Sequence, residues 1–161
     1  MNKKTFLHQA ENAFNTLIDL FTELNWEFLT DRENLSVSCV LTGKDFPVPI
    51  TVTCDKKRGV VSVYSKLSFT IDAHIKDKIA VAVCMINGVL SDGCFDFDYN
   101  LGKILFRTGL VYNDSVVSRE ALLQIISATL NTVDEFNDKL FTLSKGLLDL
   151  SALEEYLNCG V

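Results

Sequence analysis

The chain has 161 residues, 48% of them hydrophobic and 22% charged, which excludes a disordered chain and fits one globular domain over 1–161 with a full core. With 15 Lys and Arg against 21 Asp and Glu the formal charge is −6, so the average field repels phosphate backbones and anionic lipid. Nucleic acid and membrane surfaces are therefore not expected partners. No window approaches the roughly 18 unbroken apolar residues of a membrane-spanning helix. The basic start at Lys3 and Lys4 meets Gln9, Glu11 and Asn12 before any long apolar run, so it lacks the middle of a signal peptide and a cytoplasmic location is expected. Cys39, Cys54, Cys84, Cys94 and Cys159 are odd in number and form no Cys-x-x-Cys pair, the pattern of reduced thiols rather than of disulfides or zinc ligands.

In chain order, Phe6, Ala10, Ala13, Phe14, Leu17, Phe21 and Leu24 recur at three- and four-residue steps and predict a first helix over about 3–24. Trp26 and Phe28 form a short extended lead-in. Leu35, Val37, Cys39 and Leu41 then alternate with polar residues as a half-buried strand does. Turns at Gly43-Lys44-Asp45 and at 55–59 set off two more strands, about 46–54 and 60–67, giving three antiparallel strands. Pro47 and Pro49 cannot donate ladder hydrogen bonds, and their spacing of two aims both missing donors the same way, so this segment is expected at a sheet edge.

A second helix over about 73–90 turns Ile75, Ile79, Ala82, Val83 and Ile86 toward the sheet. After it, Gly93 to Asp98 alternates like a strand, 99–102 supplies turn residues, and Lys103 to Arg107 returns. Ser118 is placed to cap a long third helix striped by Leu122, Ile125, Ile126, Leu130, Val133, Phe136, Leu140 and Leu143, and Gly146 to end it. Ser151 and Glu154 have the spacing of a capping box for a short last helix. The order α-βββ-α-ββ-α defines an α+β domain with an antiparallel sheet.

That order resembles the YbjN-like family of bacterial proteins, provisionally labelled sensory transduction regulators and similar in fold to type III secretion chaperones. The resemblance spans about residues 3–146. It rests on Ile86-Asn87, Gly93, Phe95, Asp98, Gly102 and Arg107, in a helix ending Ile-Asn, a Gly-x-Phe-x-Phe-Asp strand and an Ile-Leu-Phe-Arg return. It implies a small acidic protein that binds another polypeptide, often as a homodimer, without catalysis. The same positions also have plain structural readings: turns for Gly93 and Gly102, core for Phe95, a helix end for Asn87.

Chemical motifs are few. Asp96, Asp98 and Asn100 begin like a calcium loop, but Leu101 stands where glycine is needed and Arg107 where a bidentate glutamate is needed. The two aspartates are expected to share a solvated strand face. His8 and His74 are the only histidines and lie in no nucleophile motif, no phosphate-binding loop or dinucleotide fingerprint is present, and Lys56-Lys57-Arg58 reads as a solvated turn. No catalytic, metal or cofactor residue is assigned. The expected function is a protein-binding, chaperone-like or regulatory adaptor, with Phe46, Val48 and Ile50 as its partner-binding edge. A small-ligand sensor with a pocket between helices and sheet, or an enzyme of unrecognised type, are the alternatives. A homodimer is expected because the apolar positions exceed what one short helix covers.

Overall fold

The computed structural model describes residues 3–112 and 116–159, with side chains from Phe6 onward. Its elements are α1 (Lys3–Glu23), β1 (Phe28–Asp31), β2 (Ser36–Thr42), β3 (Pro47–Asp55), β4 (Val60–Lys66), α2 (Lys76–Val89), β5 (Cys94–Asp98), β6 (Lys103–Val111), α3 (Arg119–Ser144) and α4 (Leu150–Asn158), with a 3-10 turn over Ala73–Ile75 leading into α2. The α+β class and the element order expected from the sequence are observed, with one addition. The lead-in at Phe28 is a strand in its own right, so four strands rather than three precede α2. The six strands lie in the order β1-β2-β3-β4-β6-β5, each antiparallel to its neighbour.

Side-chain alternation divides the sheet into two faces. Val37, Cys39, Val48, Ile50, Val52, Cys54, Val61, Val63, Phe95, Ile104 and Phe106 point inward and are nearly inaccessible. α1 packs on β2, β3 and β4, α3 on β3, β4 and β6, α2 on β5, and α4 rests on α2. Three helices, not one, thus cover the inner face. The excess apolar surface that motivated a dimer is satisfied within a single chain.

The helix ends follow from local chemistry. α1 stops because Asn25 adopts φ 55 and the Trp26 N–H bonds back to Phe21 O at 3.0 Å, a Schellman closure using the second-best left-handed residue. Ser118 caps α3 as expected, its hydroxyl accepting from Ala121 N at 3.1 Å, and α3 ends as Leu147 N reaches Thr142 O at 2.9 Å across Gly146. The α4 cap differs from expectation. Asp149, not Ser151, accepts from Ala152 N at 2.8 Å, which starts the helix one residue before Ser151.

Three hairpins share one turn design. Asp31, Asp55 and Asp98 each end a strand, and the fourth residue beyond each, Leu35, Gly59 or Gly102, takes positive φ before the return strand. The aspartate accepts turn N–H groups: Asn34 for Asp31, Lys57 and Arg58 for Asp55, Leu101 for Asp98. Two turns meet the left-handed position with glycine. The first holds it with Leu35 at φ 48, a strain of about 1–2 kcal/mol. Leu35 is 6% exposed, and burying a leucine contributes about 1.5–3 kcal/mol, which outweighs the strain.

Candidate partner-binding surface

Phe46, Val48 and Ile50 do not form an edge. β3 pairs with β2 from Thr42↔Pro47 to Ser36↔Thr53 and with β4 from Thr51↔Tyr64 to Asp55↔Val60, so it is an interior strand. Val48 and Ile50 are fully buried, and Phe46 is half-buried in a ring cluster with Phe69 and Phe141 at centroid distances of 6.1 and 5.2 Å. Pro47 and Pro49 limit the ladder on one side of β3 only. Cys54 N bonds to Leu35 O at 3.0 Å on the β2 side, so by alternation the odd residues of β3 turn toward β4. Pro47 and Pro49 thus lack donors on the β4 side, and the β3–β4 ladder stops at Thr51, short of both.

The true edges are β1 and β5. Along β5, Asn87 of α2 accepts from Phe95 N at 2.8 Å and donates to Phe95 O at 2.9 Å. Its carboxamide does what a neighbouring strand would do, and it seals that edge at Phe95. This is the role of a position that the sequence marked as a helix end. Asp96 pairs with the Arg107 Nε across the outer face and Asp98 holds its turn, so both carboxylates are engaged in structure. Among the described residues no three His, Cys, Asp or Glu side chains come together to hold a metal ion.

β1 has no such cover. Among the described residues no other element bonds to its free side, and Leu29 is 79% exposed. Leu29, Ser38 and Thr51 form one row across the outer face, and Val40 (65% exposed) and Pro49 form the next. Together with Glu27 and Phe28 they line an apolar groove of about 570 Å³ beside the edge. Ser38 Oγ and Thr51 Oγ1 lie 3.0 Å apart and satisfy each other on its floor. Asp31 closes the end of β1, and the Asn34 side chain and backbone hold its carboxyl below the usual carboxylate range. Sequence reasoning missed this site. Its signal was the Asp31 to Leu35 spacing, which repeats Asp55 to Gly59 and marks a hairpin before β2.

The remaining candidates are structural. Cys39 and Cys54 sit in the core, where burial pushes their thiols up to about 11 and about 12, while Cys84 and Cys159 are exposed and Cys94 is half-buried; all five are free. His8 and His74 are exposed on helical turns. In the basic turn, Arg58 pairs with Asp55 and Lys56 bonds to Glu33 O.

No family model and no curated protein matches this chain. Solved structures do. E. coli YbjN, described as a candidate transcription regulator, is 15% identical with a TM-score of 0.56, covering 82% of this chain and 92% of that one. A chain of the ExsC–ExsE complex is 16% identical with a TM-score of 0.55, covering 79% and 91%. A chain of the HopA1–SchA chaperone–effector complex is 14% identical with a TM-score of 0.54, covering 80% and 96%. The class is thus an α+β fold shared with YbjN and with a chain of each of these two complexes. More particularly, the chain adopts the YbjN-like, chaperone-like fold that its sequence resembles. No described helix is long and apolar enough to cross a membrane.

Proposed function

We propose that this protein is a non-enzymatic, chaperone-like or regulatory protein-binding module, that 1–161 acts as one domain in the cytoplasm, and that it grips an extended polypeptide along β1 and the adjoining groove. The observation that carries this reading is the open β1 edge running into exposed Leu29 and Val40. Likeness in fold to a chaperone–effector complex supports it by analogy. Magnitudes explain why both parts are needed. Pairing four residues adds at most about 4 kcal/mol at roughly 1 kcal/mol per hydrogen bond, a millimolar affinity. Burying Leu29 and Val40 adds about 1.5–3 kcal/mol each and brings binding toward the micromolar range.

The test is affinity capture with mass spectrometry by wild type and by Leu29→Lys and Val40→Lys, then direct titration of the captured segment. Both variants should lose the same polypeptide and keep their circular dichroism. Equal capture by all three would remove β1 as the site, and turnover of a metabolite by the pure protein would remove the reading altogether.

The homodimer stays part of this proposal, now through the outer face. Its central row of Ser36 and Thr53 carries no charge in a chain of net −6. Sedimentation at high micromolar concentration should show a dimer; a strict monomer there would remove it.

A further inference from the structure

A second recess of about 550 Å³ lies at the opposite end of the outer face, over β4, β6 and the start of β5. Its floor is the row Tyr64↔Arg107↔Cys94, with Ser62↔Gly109 beside it. Glycine makes the space. Gly109 puts no side chain opposite Ser62, and at Gly93 (φ 80) a Cβ would stand 2.7 Å from Arg107 O, so only glycine lets the two strands approach there. Arg58 and Asp92 complete the wall.

The polar groups here are oriented but unspent. Arg107 is held by Asp96 and Arg58 by Asp55, each through Nε alone. A guanidinium has five N–H donors, so this anchoring fixes its plane and leaves the terminal amino groups available. Those groups, the Ser62 and Tyr64 hydroxyls and the Asp92 carboxylate have no hydrogen-bond partner among the described residues. The charge balance then selects the ligand. Arg58 and Arg107 are each offset by a paired aspartate, Asp55 and Asp96, and Asp92 in the wall adds a further negative charge in an acidic chain, so a phosphate or dicarboxylate would meet a net negative surround and a simple cation would meet the guanidiniums. A molecule bearing both charges satisfies both sets of groups.

We propose that this recess binds a small zwitterion, a free α-amino acid or a dipeptide, with its carboxylate on the terminal amino groups of Arg107 and its ammonium on Asp92. The volume lies within the range of small-molecule sites. The site is separate from the β1 groove and does not depend on the polypeptide-binding reading.

Amide NMR titration of the intact protein tests it, with the twenty L-amino acids singly and diglycine as probes, and sodium acetate, inorganic phosphate and methylamine as single-charge controls. The expected result is saturable shifts at residues 62, 93 and 107–109 with at least one zwitterion, and none with the controls. Arg107→Gln and Asp92→Asn should each weaken that binding by about tenfold or more, the loss of one charged hydrogen-bonded contact. The amides of 28–31 should stay still, and spectral dispersion should confirm that both variants fold. No saturable shift with any zwitterion, equal shifts with acetate or phosphate, or unchanged affinity in both folded variants would overturn the assignment. Response to diglycine but to no free amino acid would keep the site and narrow its ligand to peptides.

Discussion

β1 and β5 are both outermost strands, of four and five residues, yet they treat their free backbones in opposite ways. β5 sits under α2, and Asn87 occupies both the N–H and the C=O of Phe95. Among the described residues nothing hydrogen-bonds to the free side of β1, and its Leu29 is exposed to solvent. An exposed edge is an aggregation hazard unless it is kept short, charged or covered. β5 uses cover and charge, through Asn87, Asp96 and Asp98. β1 uses shortness alone, with Asp31 at its end, which leaves it able to accept a strand. The lesson is that an edge is defined by what its backbone meets in space and not by prolines along the chain.

Substitutions can break this comparison. The largest effect should come from Val48→Lys, which on the sequence reading would only have weakened partner binding. Val48 is fully buried, so an unpaired ammonium there should cost about 4 kcal/mol or more, enough to unfold a marginal domain. Urea denaturation measures it; a folded variant with near-native stability would restore the edge reading of β3.

Asn87→Ala should come next. It leaves two part-buried backbone groups of Phe95 unpaired, a loss of about 2–3 kcal/mol, and it unseals β5. Chemical denaturation should show the loss, and light scattering should show association that rises with concentration. Unchanged values in both would mean that α2, not the carboxamide, protects this edge.

Leu29→Lys should change stability by no more than about 0.5 kcal/mol, since the side chain is already in water, while removing polypeptide capture. A large loss of stability would place Leu29 in the core.

The smallest effect concerns acid. Asp31 has a folded pKa held below its ordinary value of 3.8 by Asn34, so its stabilisation is present above that value and is lost as pH falls through the lower, folded one. Asp55 behaves alike: burial pushes it up, but the Lys57 and Arg58 N–H groups and the Arg58 side chain outweigh that and keep it low. Amide exchange at Asn34 and Lys57 should therefore accelerate in strong acid before the helices open. Exchange that tracks global unfolding at both sites would contradict this local control.

The sequence by itself determined the helices, most strands and the class, because each rests on short-range periodicity and caps. The α1 stripe, Ser118, Gly146 and the turn before Lys103 are local facts that the structure repeats. β1 was the exception. Four residues are too few for alternation to register, and its turn hides a left-handed leucine where glycine would have announced it. What only the tertiary structure decided was placement. Nothing near Pro47 says that β2 and β4 flank it, because strand neighbours are set by pairing between distant segments. Nothing near Asn87 says that its carboxamide faces Phe95, because that contact needs α2 docked on the sheet. The sequence reading accordingly put the candidate edge on β3, where the sequence is conspicuous, whereas the open backbone lies along β1.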